Sequence, residues 1–140
     1  MNTPAGHALF DTAIGPCGIA WGPRGIAGVQ LPEADAAATR ARLLRYTGPL
    51  PEAAPPPEVR AAIREIAALL AGEPHDMSGI VLDMAPLTDF QRRVYALACA
   101  IPAGQTRTYG ELAADLGGRH LARAVGQALG LNPFAPVVPC

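Results

Sequence analysis

The sequence contains no lysine: all eleven of its basic residues are arginine, and acids outnumber them by one. A net charge of −1 excludes a protein held to nucleic acid or membrane by bulk charge alone. Aromatic residues make up 5% and charged residues 16%, while half of the 140 residues are apolar. That balance excludes a disordered chain and is enough for a packed core. Three cysteines, Cys17, Cys99 and Cys140, are too few for a disulfide framework. In a reducing compartment one of them can serve as a reactive thiol. No apolar run reaches bilayer length, and no basic residue precedes Arg24. These absences predict neither a membrane span nor a signal peptide, and a cytoplasmic location.

Glycine and proline are plentiful, at 15 each, and predict short elements joined by many turns. Residues 8–31 read as a meander of three strands, Ala8–Thr12, Cys17–Trp21 and Ile26–Leu31, with turns at Gly15-Pro16 and Gly22–Gly25. A helix is expected over Asp35–Tyr46, with Leu43 and Leu44 inward, and a proline-rich loop over 47–57. A second helix runs from Pro57 to Ala71 on the stripe Val59, Ile63, Ile66, Leu69 and Leu70, and Gly72 stops it. Ile80–Met84 offers one more strand.

A junction follows at residues 85–88. Thr88 caps a helix over Asp89–Ala100, with Phe90, Val94, Leu97 and Cys99 toward a core, and Ile101–Gly104 ends it. Thr108 and Glu111 have capping-box spacing at the start of Tyr109–Leu116. Gly117-Gly118 breaks that helix, and Leu121–Leu131 forms the next. Two short helices joined by a glycine-containing turn fit a helix-turn-helix, a pattern that by itself more often has nothing to do with DNA. The charge distribution permits DNA: six arginines face nine acids before residue 86, but five face three after it.

The stretch Arg123-Ala124-Val125-Gly126, then Asn132-Pro133, then an apolar run into Pro139-Cys140, resembles the signature of the O6-alkylguanine-DNA alkyltransferases (methylated-DNA–protein-cysteine methyltransferases). Phe90-Gln91, Ile101–Gln105 and Thr108–Ala113 fit the same family in order and spacing. The resemblance is close over 86–140 and looser before. It implies an α/β (α+β) fold: a small ribonuclease-H-like domain over 1–85 and a winged-helix-like, mostly helical DNA-binding domain over 86–140.

The activity that the resemblance implies is DNA repair by single-turnover transfer of an alkyl group from O6-alkylguanine in double-stranded DNA to Cys140, with no cofactor, by a monomer. A lesion oxygen inside a base stack is reached only by flipping the nucleotide out. Arg123 corresponds to the family's arginine finger, which fills the vacated stack; a planar, always-charged fork suits that task. Tyr109 corresponds to the tyrosine that rotates the target phosphate and hydrogen-bonds the guanine, for which an apolar body with a polar tip is suited. Thr108, Ala124 and Gly126 correspond to DNA-facing positions, and Asn132 to a hinge that ties the recognition helix to the active-site loop. Cys140 corresponds to the nucleophile, since a thiolate attacks saturated carbon without a metal.

Each residue also has a plainer reading. Arg123 suits a solvated or phosphate-contacting arginine, Tyr109 a core tyrosine at a helix start, Asn132 an ordinary Asn-Pro turn, and Cys140 a buried inert thiol. Cys99 is expected in the core and Cys17 at the start of a strand. Cys17, His7 and His75 lack the tight spacing of zinc ligands, so no metal is expected. The family continues past its cysteine with His-Arg-Val, a histidine proton relay that a later glutamate orients, whereas this sequence ends at Cys140. That predicts an incomplete copy of a longer reading frame, or else a short product impaired in transfer. The competing functional readings are a non-catalytic alkyltransferase-like binder of alkylated DNA and a winged-helix transcriptional regulator.

Overall fold

The computed structural model describes residues 4–73, 77, 79–101 and 105–139. Cys140, His75 and Pro102–Gly104 therefore lie outside the described residues. The chain forms an α+β fold of two compact units. The first comprises residues up to Asp83 together with Pro133–Val137; the second comprises Met84–Asn132 and the residues from Val138 on.

In the first unit β1 (Gly6–Thr12), β2 (Gly15–Gly22) and β3 (Gly25–Gln30) form an antiparallel meander in the order β1-β2-β3. Gly15 and Gly25 open β2 and β3 at φ of 122° and 118°, where an L side chain is strained. Cys17 through Trp21 are buried without a break, so β2 is covered on both faces. Its bulky residues, Ile19 and Trp21, share one core with Val59, Ala62 and Ile66 of α2 (Pro57–Leu70). On the other face Gly18 and Gly28 leave room for Leu43 of α1 (Ala36–Thr47): a methyl group on either would come within 3.1 or 3.3 Å of that side chain. Asp35 caps α1 by accepting from the Ala38 amide at 2.7 Å, and Pro57 occupies the first turn of α2.

Two expectations change here. Residues 80–84 do not form a strand; a single parallel bridge pairs Leu82 with Ile26, through Ile26 N–H to Val81 O and Asp83 N–H to Ile26 O, each 2.8 Å. One-residue pairing exposes too little periodic pattern to separate it from a loop. Pro133–Val137, assigned from sequence to the second domain, groups with the first unit: Pro133 O accepts from Val29 N–H at 2.8 Å, and Val137 joins the Trp21 core. The Ala135–Pro136 bond in this segment is cis.

The second unit is helical among the described residues: α3 (Asp89–Cys99), α4 (Tyr109–Leu116), a 3-10 turn at Arg119–Leu121 and α5 (Ala122–Gly130). Thr88 with Gln91 and Thr108 with Glu111 form reciprocal capping boxes at the starts of α3 and α4. Gly117 and Gly118, at φ of 136° and 155°, turn the chain between α4 and the 3-10 segment. The buried face of α3 is Val94, Tyr95 and Ala98, whereas Phe90 and Leu97 are half-buried. Cys99 is exposed, against the expectation of a core residue, because it lies one position off that stripe at the last turn of α3.

Candidate nucleic-acid interface

The helix-turn-helix carries most of the residues singled out in the sequence. Thr108 accepts from the Glu111 amide at 3.1 Å while the Glu111 carboxylate accepts from the Thr108 amide at 2.9 Å. Those hydrogen bonds, foremost the backbone one, with the charges of Arg107 and Arg119, hold the Glu111 carboxyl below its ordinary range. Arg107 is braced in turn on Asp115 at 2.8 Å and on the Glu111 carbonyl at 3.1 Å.

This cap fixes the start of α4, and with it Tyr109. The tyrosine is not a core residue: it is 52% exposed. Its ring edge lies over Gly126 of α5, where an added methyl group would approach Cε2 to 3.0 Å and Cδ2 to 3.1 Å. Glycine at 126 is thus what lets the tyrosine ring lie flush on the second helix.

α5 presents Arg123, Gln127 and Gly130 to solvent and buries Val125, Ala128 and Leu129; Ala124 and Gly126 are half-buried between. Arg123 makes no hydrogen bond or ion pair among the described residues, so its fork of donors faces outward. The helix is anchored from beneath by Tyr95, a residue that the sequence reading did not single out. Its buried hydroxyl donates to Ala128 O at 2.6 Å. That carbonyl is one of the last four of α5, which lack helical partners; the Leu131 and Asn132 amides go to Gln127 O and Leu129 O instead. The signal was present in principle, since a tyrosine within an apolar stripe needs an acceptor for its hydroxyl.

Beyond α5, Asn132 donates its side-chain amide to Val138 O at 2.6 Å, closing the loop two residues short of Cys140. Val138 is fully buried and Leu131 is 67% exposed. In the first unit Cys17 is fully buried, 3.7 Å from Thr12 Oγ1, and burial pushes its thiol up. His7 is buried as well, with Nδ1 at 2.9 Å from Leu50 O. A hollow of about 320 Å³ in this unit is lined by Trp21, Arg24, Ile26, Glu58 and Val81 among others, and by none of the predicted site residues. No described helix is long and apolar enough to cross a membrane.

Comparison with known proteins converges on one group. Residues 89–140 match the family described as 6-O-methylguanine DNA methyltransferase, DNA binding domain. A methylated-DNA–protein-cysteine methyltransferase of Mycolicibacterium paratuberculosis is 47% identical over 79 residues, which is 56% of this chain and 47% of that protein. Its counterpart in Methanothermobacter thermautotrophicus is 33% identical over 134 residues, 96% of this chain and 66% of the relative. The crystal structure of Mycobacterium tuberculosis OGT in complex with DNA superposes with a TM-score of 0.67 at 33% identity, covering 96% of this chain and 75% of that one. The chain thus spans about half the length of the first of these relatives and about two thirds of the second. Shared motifs and shared fold agree: the chain belongs to the methylated-DNA–protein-cysteine methyltransferase family.

Proposed function

We propose that this protein repairs O6-alkylguanine in double-stranded DNA by moving the alkyl group onto Cys140. The observation that carries the reading is the Tyr109–Gly126 packing beside outward-facing Arg123, with Asn132 holding the chain at Val138. It puts an aromatic ring and a guanidinium on one exposed helix pair and leads the backbone into the cysteine.

In this reading α5 enters the groove and Arg123 occupies the space left by the flipped nucleotide, pairing with the orphaned base. Tyr109 guides the target phosphate and donates to the guanine ring, while Thr108, Ala124 and Gly126 allow close approach of the DNA. Small side chains suit that role because they let backbone and phosphate meet. The Cys140 thiolate attacks the alkyl carbon; the S–C bond forms as the C–O6 bond breaks, and its electron pair stays with the guanine oxygen. The proton lost by the thiol ends on the released base. The thioether is stable, so each chain acts once. We read the protein as a cytoplasmic monomer, the reducing compartment keeping the thiol available, with its domains meeting near residue 85.

The test is transfer from an oligonucleotide carrying labelled O6-methylguanine. Label is expected on the protein and absent in Cys140→Ala. Arg123→Ala is expected to weaken reaction with duplex DNA far more than with free alkylguanine, and equal loss on both would remove the finger role. Lesion-preferring binding without any transfer would instead identify a binding module.

A further inference from the structure

Five arginines lie in the second unit, and their partners differ. Arg92 is paired with Asp89 at 2.6 Å and Arg107 with Asp115 at 2.8 Å. Arg93 donates to Leu116 O at 3.5 Å. Arg119 and Arg123 have no hydrogen bond or ion pair among the described residues, and both are exposed. The guanidinium groups of this unit without a described hydrogen-bond or ion-pair partner thus lie at the 3-10 turn and the first turn of α5.

Arg119 lies close to α4. Its side chain reaches back across the turn to α4, where Nη1 lies 3.2 Å from the position of a methyl group on Gly110. A methyl group at 110 would push the guanidinium aside by a few tenths of an ångström. Its charge acts on the Glu111 carboxylate, yet no hydrogen bond or ion pair joins the two among the described residues, so the guanidinium keeps its donors for an outside acceptor. In a helix-turn-helix the first helix crosses the sugar-phosphate backbone while the second enters the groove. A cation laid over the first turn of the first helix therefore meets backbone, not base edges. A guanidinium fork matches phosphate oxygens two at a time.

We infer that Arg119, poised over Gly110, grips a backbone phosphate of the DNA and so positions the duplex for Arg123. This rests on the DNA-repair reading above. Arg119 takes no part in the chemistry, and its contribution is electrostatic and independent of base sequence.

Salt dependence tests it, because each neutralised phosphate adds about 0.9 to the slope of log K against log salt. The full chain, Arg119→Gln and Arg119→Lys are titrated with an unmodified duplex between 50 and 200 mM salt, with Arg64→Gln on α2 as a control. Arg119→Gln is expected to flatten the slope by about 0.9, so that the fourfold rise in salt costs it about 3.5-fold less affinity than the parent. Arg119→Lys and Arg64→Gln are expected to keep the parental slope. A parental slope in Arg119→Gln, with its circular dichroism unchanged, would overturn the inference while leaving the repair reading intact. A parent chain that binds no DNA at any salt would overturn both. Should Arg119→Gln misfold, Arg119→Ala provides the second arm, and an unchanged slope there counts equally against the contact.

Discussion

Replacing Tyr95 by phenylalanine removes one oxygen atom and keeps the ring. The hydroxyl it deletes donates to Ala128 O at 2.6 Å in a buried setting. No other described amide takes over that carbonyl, since those of Leu131 and Asn132 are bonded to Gln127 O and Leu129 O. The cost is therefore that of leaving a buried acceptor unsatisfied, about 1–3 kcal/mol, more than the net worth of an ordinary hydrogen bond. The loss falls on the C-terminal turn of α5, the helix that carries Arg123. Native-state hydrogen exchange reads it directly: α5 amides are expected to exchange about 5- to 140-fold faster, from roughly one decade per 1.4 kcal/mol. Amides of α1 and α2 in the first unit serve as the internal reference. Exchange in α5 within twofold of the parent would refute the reasoning, because it would mean that Ala128 O finds water or another donor at no cost. Repair of duplex DNA is expected to fall along with α5 protection.

Gly126→Ala separates activity from stability. Alanine improves helix propensity by roughly 0.5–1 kcal/mol, but its methyl group would meet the Tyr109 ring at 3.0 Å. The melting temperature is expected to hold or rise while transfer falls, up to about a hundredfold for a displacement near 1 Å; a stability loss without an activity loss would contradict the packing role. Glu111 predicts a pH effect: its carboxyl is held low in the folded state by the Thr108 hydrogen bonds and the charges of Arg107 and Arg119. Its stabilisation is thus fully present above the unfolded value of about 4.3 and is lost as pH falls through the folded value. The melting-temperature gap between the parent and Glu111→Gln is expected to narrow over that acid range and to stay constant from pH 5 to 7. Cys17, fully buried and with its thiol pushed up by desolvation, is expected to resist alkylating reagents in the native protein and to label completely in denaturant. Rapid native labelling would show that β2 opens readily.

Much of the architecture was legible because it is written locally. Thr88-Gln91 and Thr108-Glu111 mark helix starts within four residues, and both form the reciprocal boxes their spacing predicts. Gly15, Gly25, Gly72, Gly117 and Gly118 all take the positive φ that stops or turns an element. The meander, α1 and α2 were found within one or two residues for the same reason. The family was legible too, from a motif in which Tyr109, Arg123 and Asn132 keep fixed spacing.

What the sequence determined by itself, then, was the set of elements, their caps and turns, and the family to which Arg123 through Cys140 point. Tertiary structure alone decided which distant residues meet. Leu82 bridges Ile26, Pro133 pairs with Val29, and Val137 completes the Trp21 core, none of which leaves a periodic trace. It also turned Cys99 outward, put Tyr95 beneath Ala128, laid Tyr109 on Gly126 and set Arg119 over Gly110. The physical reason is range. Caps and turns are satisfied by neighbours a few bonds away, whereas a buried hydroxyl, an orphaned carbonyl or a guanidinium over a glycine is satisfied only by whatever the folded chain brings to it.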